Sequence, residues 1–579
     1  MSTLSPLQLF PLHVVRLIVN HVAGSSRMVY DGVRVNSHEY RTLLKPLLWV
    51  CHNFRTVAYS RYCNNFGLNL SSLTLEDLDT HYLRIRRTDV DYRKLNYLGY
   101  STHHFTKDIT VFVDERTVYS GKALEAISRS PYDGCSFPLA RRLIFILVKD
   151  IKGVMDEGVR IDPLLVEANI GAFVQRVKQM APLVGEIRVQ PGYRDNSSSI
   201  PSQYFDHLAS RLYQLANRVD YGNISYLADT LRLQLDMICH LTYLGCSSGS
   251  SIANVSQFIQ LARKNALTLQ SLILGCRQNI NVLGLVQDAE GNHVAYPRLQ
   301  YLNLWSMTDT DEPNRPQFHS AGPFPILQRL RINLYCSFDD DTFFRGNAAT
   351  LESLHMQLDS LRISMLRKYK VFVPGSHPRL QVVKLLYTDE FLSTPFSLPA
   401  DVMEFVYNIG SGAVVREYSG FRHDDDQVSR PLSLGSQTCI RVLSLPSWRP
   451  QLWDAIVLVK SLPLLSDLQT SVPSLGPMPD GVTPDTLPEH VISNYAPMGR
   501  RFRCWHLNIG YANICSEVAT CVLLLALACP NFDYAAPPIS QREMFMKRME
   551  KGIGSDCFKP YAPRLRRLLF QGWDERKKD

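Results

Sequence analysis

The sequence predicts an α/β solenoid, with parallel strands on one side and helices on the other, preceded by a small helical segment. Two observations support this fold class. The phrase N-A-x-T-L-x-S-L occurs twice, at residues 265–272 and 347–354, and related leucine phrases recur along the chain. Between these phrases the apolar spacing changes from the alternation of a strand to the spacing of a helix, so strands and helices must alternate.

Length and composition describe a folded chain with more than one hydrophobic core. At 579 residues the chain exceeds what one core accommodates, so it should contain several domains or an elongated repeat stack. Apolar residues make up 45% and charged residues 20%, as in ordinary globular proteins. The formal net charge of +8 is small for this length, and the densest basic run, RRLLFQGWDERKKD, also carries acids, so we expect no nucleic-acid partner.

Cysteine use and apolar segments indicate the compartment. The 13 cysteines include no C-x-x-C pair, which is typical of reduced intracellular thiols. No basic region precedes the N-terminal apolar stretch, so we expect no secretory signal. The apolar segment 514–529 is shorter than a bilayer requires and contains Glu517, so we predict a buried helix. The sequence thus predicts a cytoplasmic or nuclear protein without a membrane partner.

Leucine phrases of the form L-x-x-L-x-L set the predicted repeat. Successive strong members lie 24 to 30 residues apart. Their first leucines are Leu269, Leu299, Leu327, Leu351 and Leu380, with weaker members at Leu241, Ile440, Leu465 and Leu565. The last two apolar positions alternate with polar ones, as in a strand with one buried face, and a proline before several units suits a strand start.

The segments between the phrases predict helices. In residues 251–265, four apolar side chains at Ile252, Val255, Ile259 and Ala262 fall at helical intervals, and Asn265 lies near the helix end. A strand, a helix and a return to the next strand within about 30 residues require parallel neighbouring strands. The doubled phrase is therefore interpreted as a helix end that leads into the next strand.

These units resemble leucine-rich repeats, in which each repeat buries its leucines against its neighbours. The resemblance implies a leucine-rich-repeat domain at 241–579, with loop insertions near 306–325, 410–436 and 471–490, where proline, glycine and aspartate interrupt the period. Residues 71–240 are predicted to be a divergent repeat-like α/β region, because DITVFVDE and RRLIFILVKD look like strands and 163–180 like an amphipathic helix. The alternative is a leucine-rich α/β domain whose phrases are similar by chance.

Residues 1–70 predict a small helical domain. Apolar residues in 10–22 share one helix face, and a second apolar segment occupies 43–62, where the phrase V-C-H-N-F-R stands at residues 50–55. This pair resembles an F-box, which implies docking on a Skp-type adaptor of a cullin-RING ubiquitin ligase. The implied adaptor-binding residues are Pro11, Val15, Ile18, Val22, Leu48, Val50, Cys51 and Phe54. The alternative is a helical cap that covers the first repeat.

Catalytic patterns are sparse. The string GCSSG at 245–249 matches G-x-S-x-G, with Ser247 at the nucleophile position, but no oxyanion segment or base accompanies it. The acidic clusters at 338–343 and 422–427 lack the spacing of a calcium loop. We therefore predict no enzyme, metal or cofactor, and a serine hydrolase is the third alternative.

The sequence thus predicts an F-box-type substrate receptor that binds a target protein through its repeats; the alternative is a leucine-rich-repeat scaffold without a ubiquitin role. Target binding is assigned to the outward positions of the strands, which alternate with the buried leucines. These positions are Tyr301, Asn303, Arg329, Arg331, Ser353, His355 and Lys384. They lean basic and include an aromatic ring, so we expect an acidic surface on the partner.

Overall fold

The structure is a computed structural model. It describes residues 11–24, 29–30, 33–34, 47, 50, 53–55, 57–58, 65–71, 96–97, 100–129, 134–147, 162–191, 203–220, 238–250, 252–276, 280–281, 283–287, 290–306, 324–332, 336–337, 344–368, 370–373, 375–388, 398–409, 411–421, 439–446, 448–499, 504–508, 516–528, 532–535 and 539–570. The chain forms two compact units. Unit 1 comprises Met1–Leu299 and Trp305–Thr310, and unit 2 comprises Gln300–Leu304 and Asp311–Asp579.

Unit 1 contains a parallel sheet whose strands follow chain order. The strands are β1 (Asn65–Asn69), β2 (Asp108–Val113), β3 (Arg142–Leu147), β4 (Glu186–Pro191), β5 (Arg218–Asp220), β6 (Tyr243–Ser250) and β7 (Ser271–Cys276). The helices are α1 (Leu12–Gly24), α2 (Glu115–Tyr119), α3 (Lys122–Arg129), α4 (Pro163–Met180), α5 (Gln203–Tyr213), α6 (Ile252–Lys264) and α7 (Leu283–Val286). A 3-10 helix spans Thr102–His104, and two-residue strands lie at Val29–Tyr30, Val33–Arg34, Asn96–Tyr97, Tyr100–Ser101 and Ile280–Asn281.

Unit 2 repeats this arrangement of parallel strands and helices. Its strands are β8 (Tyr301–Ser306, of which 301–304 belong to unit 2), β9 (Arg329–Ile332), β10 (Ser353–Leu358), β11 (Val382–Tyr387), β12 (Val415–Ser419), β13 (Val442–Leu445), β14 (Asp467–Ser471), β15 (Cys504–Asn508) and β16 (Phe532–Ala535). Its helices are α8 (Ser360–Lys368), α9 (Ala400–Asn408), α10 (Leu452–Ser461), α11 (Leu487–Gly499), α12 (Ser516–Ala528), α13 (Ile539–Ile553) and α14 (Ala562–Phe570). A two-residue strand, Cys336–Ser337, and a 3-10 helix, Lys559–Tyr561, complete the described elements.

A forked backbone hydrogen bond joins successive repeats. The carbonyl oxygen of Gln300, just before β8, accepts hydrogen bonds from the N–H groups of Gln328 and Arg329 at 3.0 and 2.9 Å. The carbonyl of Gln328 in turn accepts from Glu352 and Ser353 at 2.7 and 2.9 Å. The same fork recurs at Lys107, Arg141, Asn217, Thr242, Glu352, Gln381, Val414 and Arg441. Each unit is therefore a solenoid-like stack, with one junction geometry repeated from strand to strand.

The first copy of the doubled phrase connects α6 to β7, as the sequence indicates. Asn265 is buried, and its Oδ1 accepts a hydrogen bond from the Leu241 N–H at 2.9 Å. Its Nδ2 donates to the carbonyls of Ile238 and Leu261 at 3.2 and 3.0 Å. One amide side chain thus ties the end of a helix to the preceding repeat. Thr268 adds a hydrogen bond from its hydroxyl to the Leu241 carbonyl at 2.8 Å.

The second copy of the phrase makes the same turn. The carbonyl of Asn347 accepts hydrogen bonds from the N–H groups of Thr350 and Leu351 at 3.1 and 3.0 Å, and Asn347 is buried like Asn265. The two copies have the same sequence because each residue has one role in the turn. The asparagine is buried, the threonine N–H donates a hydrogen bond that closes the turn, and the leucine enters the core.

Leucines at the inward positions form the core of each unit. In unit 2 the burial of side chains alternates along β9, β10, β11, β12 and β14, with one face of the sheet buried and the other partly exposed. The inward side chains of β10, Leu354 and Met356, are fully buried. Burying such a side chain contributes roughly 1.5–3 kcal/mol, so the leucine positions supply much of the stability of the stack.

Strand β12 corrects the sequence interpretation of residues 410–436 as a loop insertion. Val415–Ser419 pairs in parallel with β11 and β13, and the two-period gap between Leu380 and Ile440 contains this missing repeat. The strand escaped the leucine pattern because its inward positions are Arg416 and Tyr418. Residues 307–323 and 422–438, which contain the rest of two predicted insertions, lie outside the described residues.

Arg416 is buried at a position that leucine occupies in other repeats. Its Nε donates to the carbonyl of Ala413 at 3.1 Å, Nη1 to Tyr407 at 3.1 Å, and Nη2 to Ser411 at 2.6 Å. Tyr407 lies in the last turn of α9, where carbonyl groups lack partners within the helix and a cation is favourable. The guanidinium therefore closes the turn between α9 and β12.

Two further sequence predictions change at the chain ends. Leu565 lies in helix α14 rather than in a strand; it and Leu569 are both buried, at the i, i+4 spacing of one helix face. The parallel sheet also begins earlier than predicted, because β1 pairs with β2 although it lies within the predicted 1–70 helical domain. Residues 472–486 of the predicted insertion form turns and an isolated bridge, and α11 begins at Leu487, before the predicted end at 490.

The predicted N-terminal helix is present as α1, which begins after Pro11. The Pro11 carbonyl accepts hydrogen bonds from the N–H groups of Val14 and Val15 at 2.9 and 3.2 Å. The second predicted helix, at 43–62, is described only in part. Within it, residues 53–55 and 57–58 are helical. Near the other end, α12 is buried, as predicted. Within the described part of the chain, no helix combines the length and apolar character needed to cross a membrane.

Candidate protein-interaction face

The outward side of the unit 2 sheet is the candidate site. The outward side chains at the start of its strands form a line that we name the first row. The first row contains Tyr301, Arg329, Ser353, Val382, Val415, Val442 and Asp467, which are successive partners in the parallel register. In this row the Arg329 guanidinium carbon lies 5.1 Å from the centre of the Tyr301 ring. The two side chains thus form a cation–π pair.

The second row lies two residues further along each strand. It contains Asn303, Arg331, His355, Lys384, Glu417, Ser444 and Gln469, again in continuous register. All the predicted target-binding residues therefore fall in two adjacent rows on β8 to β11. Because neighbouring strands lie about 4.8 Å apart, these residues span roughly 14 Å across the sheet. Their role in binding stays a prediction.

Lys384 is paired with a residue that the sequence interpretation missed. Its Nζ lies 2.5 Å from Oε2 of Glu417 on the next strand, and both side chains are partly exposed. Glu417 falls in the stretch interpreted as an insertion, because the inward arginine at position 416 removes the apolar alternation that signals a strand. An exposed pair of this kind contributes only about 0–1 kcal/mol, but it neutralises the charge of Lys384.

His355 is held in its neutral form by its position. Burial, followed by the adjacent positive charges of Arg331 and Lys384, lowers its pKa to about 4, against an opposing effect of Glu417. At neutral pH the imidazole therefore adds a hydrogen-bonding ring to the second row, and no charge. The basic character expected from the sequence is thus smaller and more localised than a count of basic residues implies.

Charge on this face is divided between its two halves. The positive charges that the face presents at neutral pH centre on Arg329 and Arg331 of β9. Among the described side chains of the two rows, the acidic ones lie beyond β11: Glu417 on β12 and Asp467 on β14. Between the acidic residues, the Ser444 hydroxyl and Oε1 of Gln469 are 2.7 Å apart, so this half also carries a polar pair. A partner that matches the face must therefore present negative charge to β9.

The outward face of unit 1 has a different electrostatic design. Arg142 Nε lies 3.1 Å from Glu186 Oε1 and Arg142 Nη1 lies 3.8 Å from Asp108 Oδ2, while Arg218 Nε lies 3.6 Å from Glu186 Oε2. The Arg218 guanidinium carbon also lies 4.5 Å from the centre of the Tyr243 ring. Acidic and basic residues alternate from strand to strand, so this row neutralises itself.

The predicted adaptor-binding residues divide into buried and exposed sets. Val15 in α1 and Phe54 are buried, Ile18 is half-buried, and Pro11 and Val50 are exposed. The side chain of Val22, together with Leu48 and Cys51, lies outside the described residues. The contact of all these residues with an adaptor stays a prediction.

The same segment exposes apolar side chains that the sequence interpretation did not single out. Leu12 and Leu17 of α1 are 43% and 65% exposed, and Val50 is 40% exposed. Large aliphatic side chains in water are costly at about 25 cal/mol per Å² of apolar area, so their covering by a partner would be favourable. Among the described residues of the N-terminal segment, these three are large apolar groups that an adaptor can reach without rearrangement.

The catalytic alternative depended on Ser247. Ser247 lies inside strand β6, whereas a nucleophile of the G-x-S-x-G type stands at a sharp turn between strand and helix. Within the described ranges, no group of histidine, cysteine, aspartate and glutamate side chains is arranged to hold a metal ion. The acidic clusters at 338–343 and 422–427 lie outside those ranges.

Comparison with known proteins finds no match: neither a protein-family model nor a curated protein sequence matches this chain. The residues and their geometry therefore carry the functional assignment.

Proposed function

We propose that this chain is a substrate receptor of the F-box type. The N-terminal helical segment docks on a Skp-type adaptor of a cullin-RING ubiquitin ligase, and the outward face of unit 2 holds a target protein. The chain contributes proximity rather than a catalytic group, because ubiquitin transfer would be performed by other subunits on a target held nearby. Such a receptor would act in the cytoplasm or nucleus.

The observation that supports target binding best is the two-row arrangement of the outward face. Its strands present side chains in continuous register, and their leucines point to the other side of the sheet. Tyrosine and arginine, which stand together at Tyr301 and Arg329, are among the residue types that most often dominate binding energy at protein interfaces. A rigid parallel sheet also holds these side chains in place before binding, which reduces the entropy lost on association.

The exposed apolar residues of the N-terminal segment support the adaptor interaction. An amphipathic helix binds a partner by laying an apolar face into a groove, and Leu12 and Leu17 place aliphatic groups on the outside of α1. Val15 and Val19 are fully buried on the same helix, so α1 is apolar on its inner side as well. At 100° per residue, Leu17 lies on the side of α1 opposite these buried valines, where a partner can cover it.

A pull-down with a purified Skp-type adaptor tests this proposal. The test variant is Leu17→Asp combined with Val50→Asp, because both side chains are exposed and their replacement should not disturb the core. Leu267→Asp in unit 1 is a matched control, since Leu267 is 71% exposed and distant in sequence from the helical segment. Capture by the wild type and the control, with loss in the double variant, supports the receptor; circular dichroism verifies folding.

Failure of the wild type to capture the adaptor would reject the receptor role. The second candidate function, an interaction scaffold without a ubiquitin role, would then account for the outward face of unit 2. In that case the N-terminal helices cover the end of the repeat stack, a role that repeat proteins require.

A further inference from the structure

We infer that the target presents an acidic segment to strands β8 to β10, where Arg329 and Arg331 receive its carboxylates, and that Glu417 keeps this segment from Lys384. The inference rests on the proposed target-binding role of the outward face, and it adds the chemical class of the partner and the residue that limits its contact.

The position of Arg329 favours a carboxylate ligand. Its guanidinium carbon lies 5.1 Å from the centre of the Tyr301 ring, within the range of a cation–π contact. A guanidinium carries five N–H donors, and two of them together match the two oxygens of a carboxylate. The ring also restricts the arginine side chain before binding, so less conformational entropy is lost when the carboxylate arrives.

Arg331 extends the same positive region into the second row. It is two residues from Arg329 on β9, so both side chains emerge from the same face of one strand. Its register neighbours are uncharged at neutral pH: Asn303 on β8, and His355 on β10, whose pKa is lowered by burial. A carboxylate placed at β9 therefore lies beside two guanidinium groups on the same strand.

Glu417 sets the far limit of this positive region. Its carboxylate already occupies Lys384, which would otherwise extend the cationic tract from β9 to β11, over roughly 10 Å. An acidic segment that continued to β11 would meet the carboxylate of Glu417, and like charges at this distance repel. Glu417 thus competes with an anionic partner for binding to Lys384.

The same acids favour a protein partner over a nucleic acid. Nucleic-acid binding draws on many phosphate contacts along a continuous basic surface. Here Glu417 and Asp467 interrupt the face beyond β11, so a phosphate chain that crossed the sheet would be repelled on β12 and β14. A short acidic stretch of polypeptide, with neutral or basic residues beside it, matches both halves of the face.

Titration of a fluorescein-labelled polyglutamate peptide with the full chain, followed by fluorescence anisotropy at low salt, tests the inference. We expect Arg329→Gln and Arg331→Gln each to weaken binding by about tenfold, the loss of one charge-assisted contact. Glu417→Gln should tighten binding by about threefold to tenfold, because it releases Lys384. Arg379→Gln is the matched control, an exposed arginine in the turn before β11, and should leave binding unchanged.

Three results would overturn the inference: no binding of the peptide by the wild type, equal weakening in Arg379→Gln and Arg331→Gln, or weaker binding in Glu417→Gln. Equally tight binding of a labelled single-stranded oligonucleotide, with the same dependence on Arg331, would replace the acidic polypeptide by a nucleic acid. The outcome is independent of the adaptor experiment. A chain that captures the adaptor and ignores the peptide contradicts this inference alone, and the reverse result rejects the receptor role alone.

Discussion

Replacing His355 with glutamine should remove a loss of stability that the wild-type protein suffers in mild acid. In the folded state, the pKa of His355 is lowered to about 4 from its usual 6.5 by burial and by the positive charges of Arg331 and Lys384. Between these values the unfolded chain binds a proton that the folded chain does not. The stability contributed by neutral His355 is therefore complete above pH 6.5 and is lost progressively as the pH falls towards 4.

The size of this effect follows from the pKa difference. Each unit of difference corresponds to about 1.4 kcal/mol, so His355 costs the fold up to about 3 kcal/mol in strong acid and about 2 kcal/mol near pH 5. Unfolding by urea at about pH 7 and about pH 5 measures the loss. We expect the wild type to lose about 2 kcal/mol more than His355→Gln between these conditions.

The control for this prediction is His13→Gln, which makes the same substitution at an exposed histidine at the start of α1. An NMR titration of the imidazole protons provides a direct second measurement. Equal acid sensitivity in the wild type and His355→Gln, or a His355 pKa near its usual 6.5, would refute the electrostatic account of the second row. Arg331→Gln should raise the His355 pKa, because it removes the first of the neighbouring positive charges.

Three further substitutions probe the repeat junctions by urea unfolding. Asn265→Ala removes three buried hydrogen bonds and should cost about 2–3 kcal/mol, whereas Gln270→Ala, an exposed residue of the same phrase, should change stability little. Gly420→Ala should cost more than about 2 kcal/mol, because φ is +80° and a Cβ would collide with a backbone carbonyl; Gly412→Ala, with open space, is the control. Arg416→Ala should cost about 3 kcal/mol, because buried carbonyls lose their donor.

Each of these three predictions has its own contrary result. Wild-type stability of Asn265→Ala would mean that water replaces the amide at the helix end. Similar effects of Gly420→Ala and Gly412→Ala would show that the turn after β12 adapts to a side chain. For Arg416→Ala, stability within about 0.5 kcal/mol of the wild type would contradict the closure of the α9 turn by this guanidinium.

The sequence predicted the strands whose inward side chains are leucines. Leu302 and Leu304 alternate with polar residues, and so do Leu354 and Met356. This alternation predicts a strand with one buried face. The register followed from the same leucines, so the outward residues of β8 to β11 could be named from the pattern alone. Pattern and structure agree there because burial of apolar area dominates the energy of those positions.

Strand β12 and the charge distribution were not predictable in this way. Arg416 satisfies its charge with carbonyls that only the folded turn brings together, so an arginine stands where the pattern requires an apolar residue. Lys384 and Glu417 are 33 residues apart, and their pairing depends on that missed strand. In the N-terminal segment, helical periodicity grouped Val15 with Ile18, but it did not show which side is covered by the rest of the chain.

The forked junction between repeats has a consequence for how such a protein changes over evolutionary time. Because the fork is made by main-chain atoms, it places no demand on the side chains at Gln300, Gln328 or Glu352. A whole repeat can be duplicated or deleted at these points, and the new neighbours meet through the same two hydrogen bonds. The outward face can thus gain or lose one repeat at a time. The junction with the new neighbour needs no compensating side-chain mutation, because main-chain atoms form it.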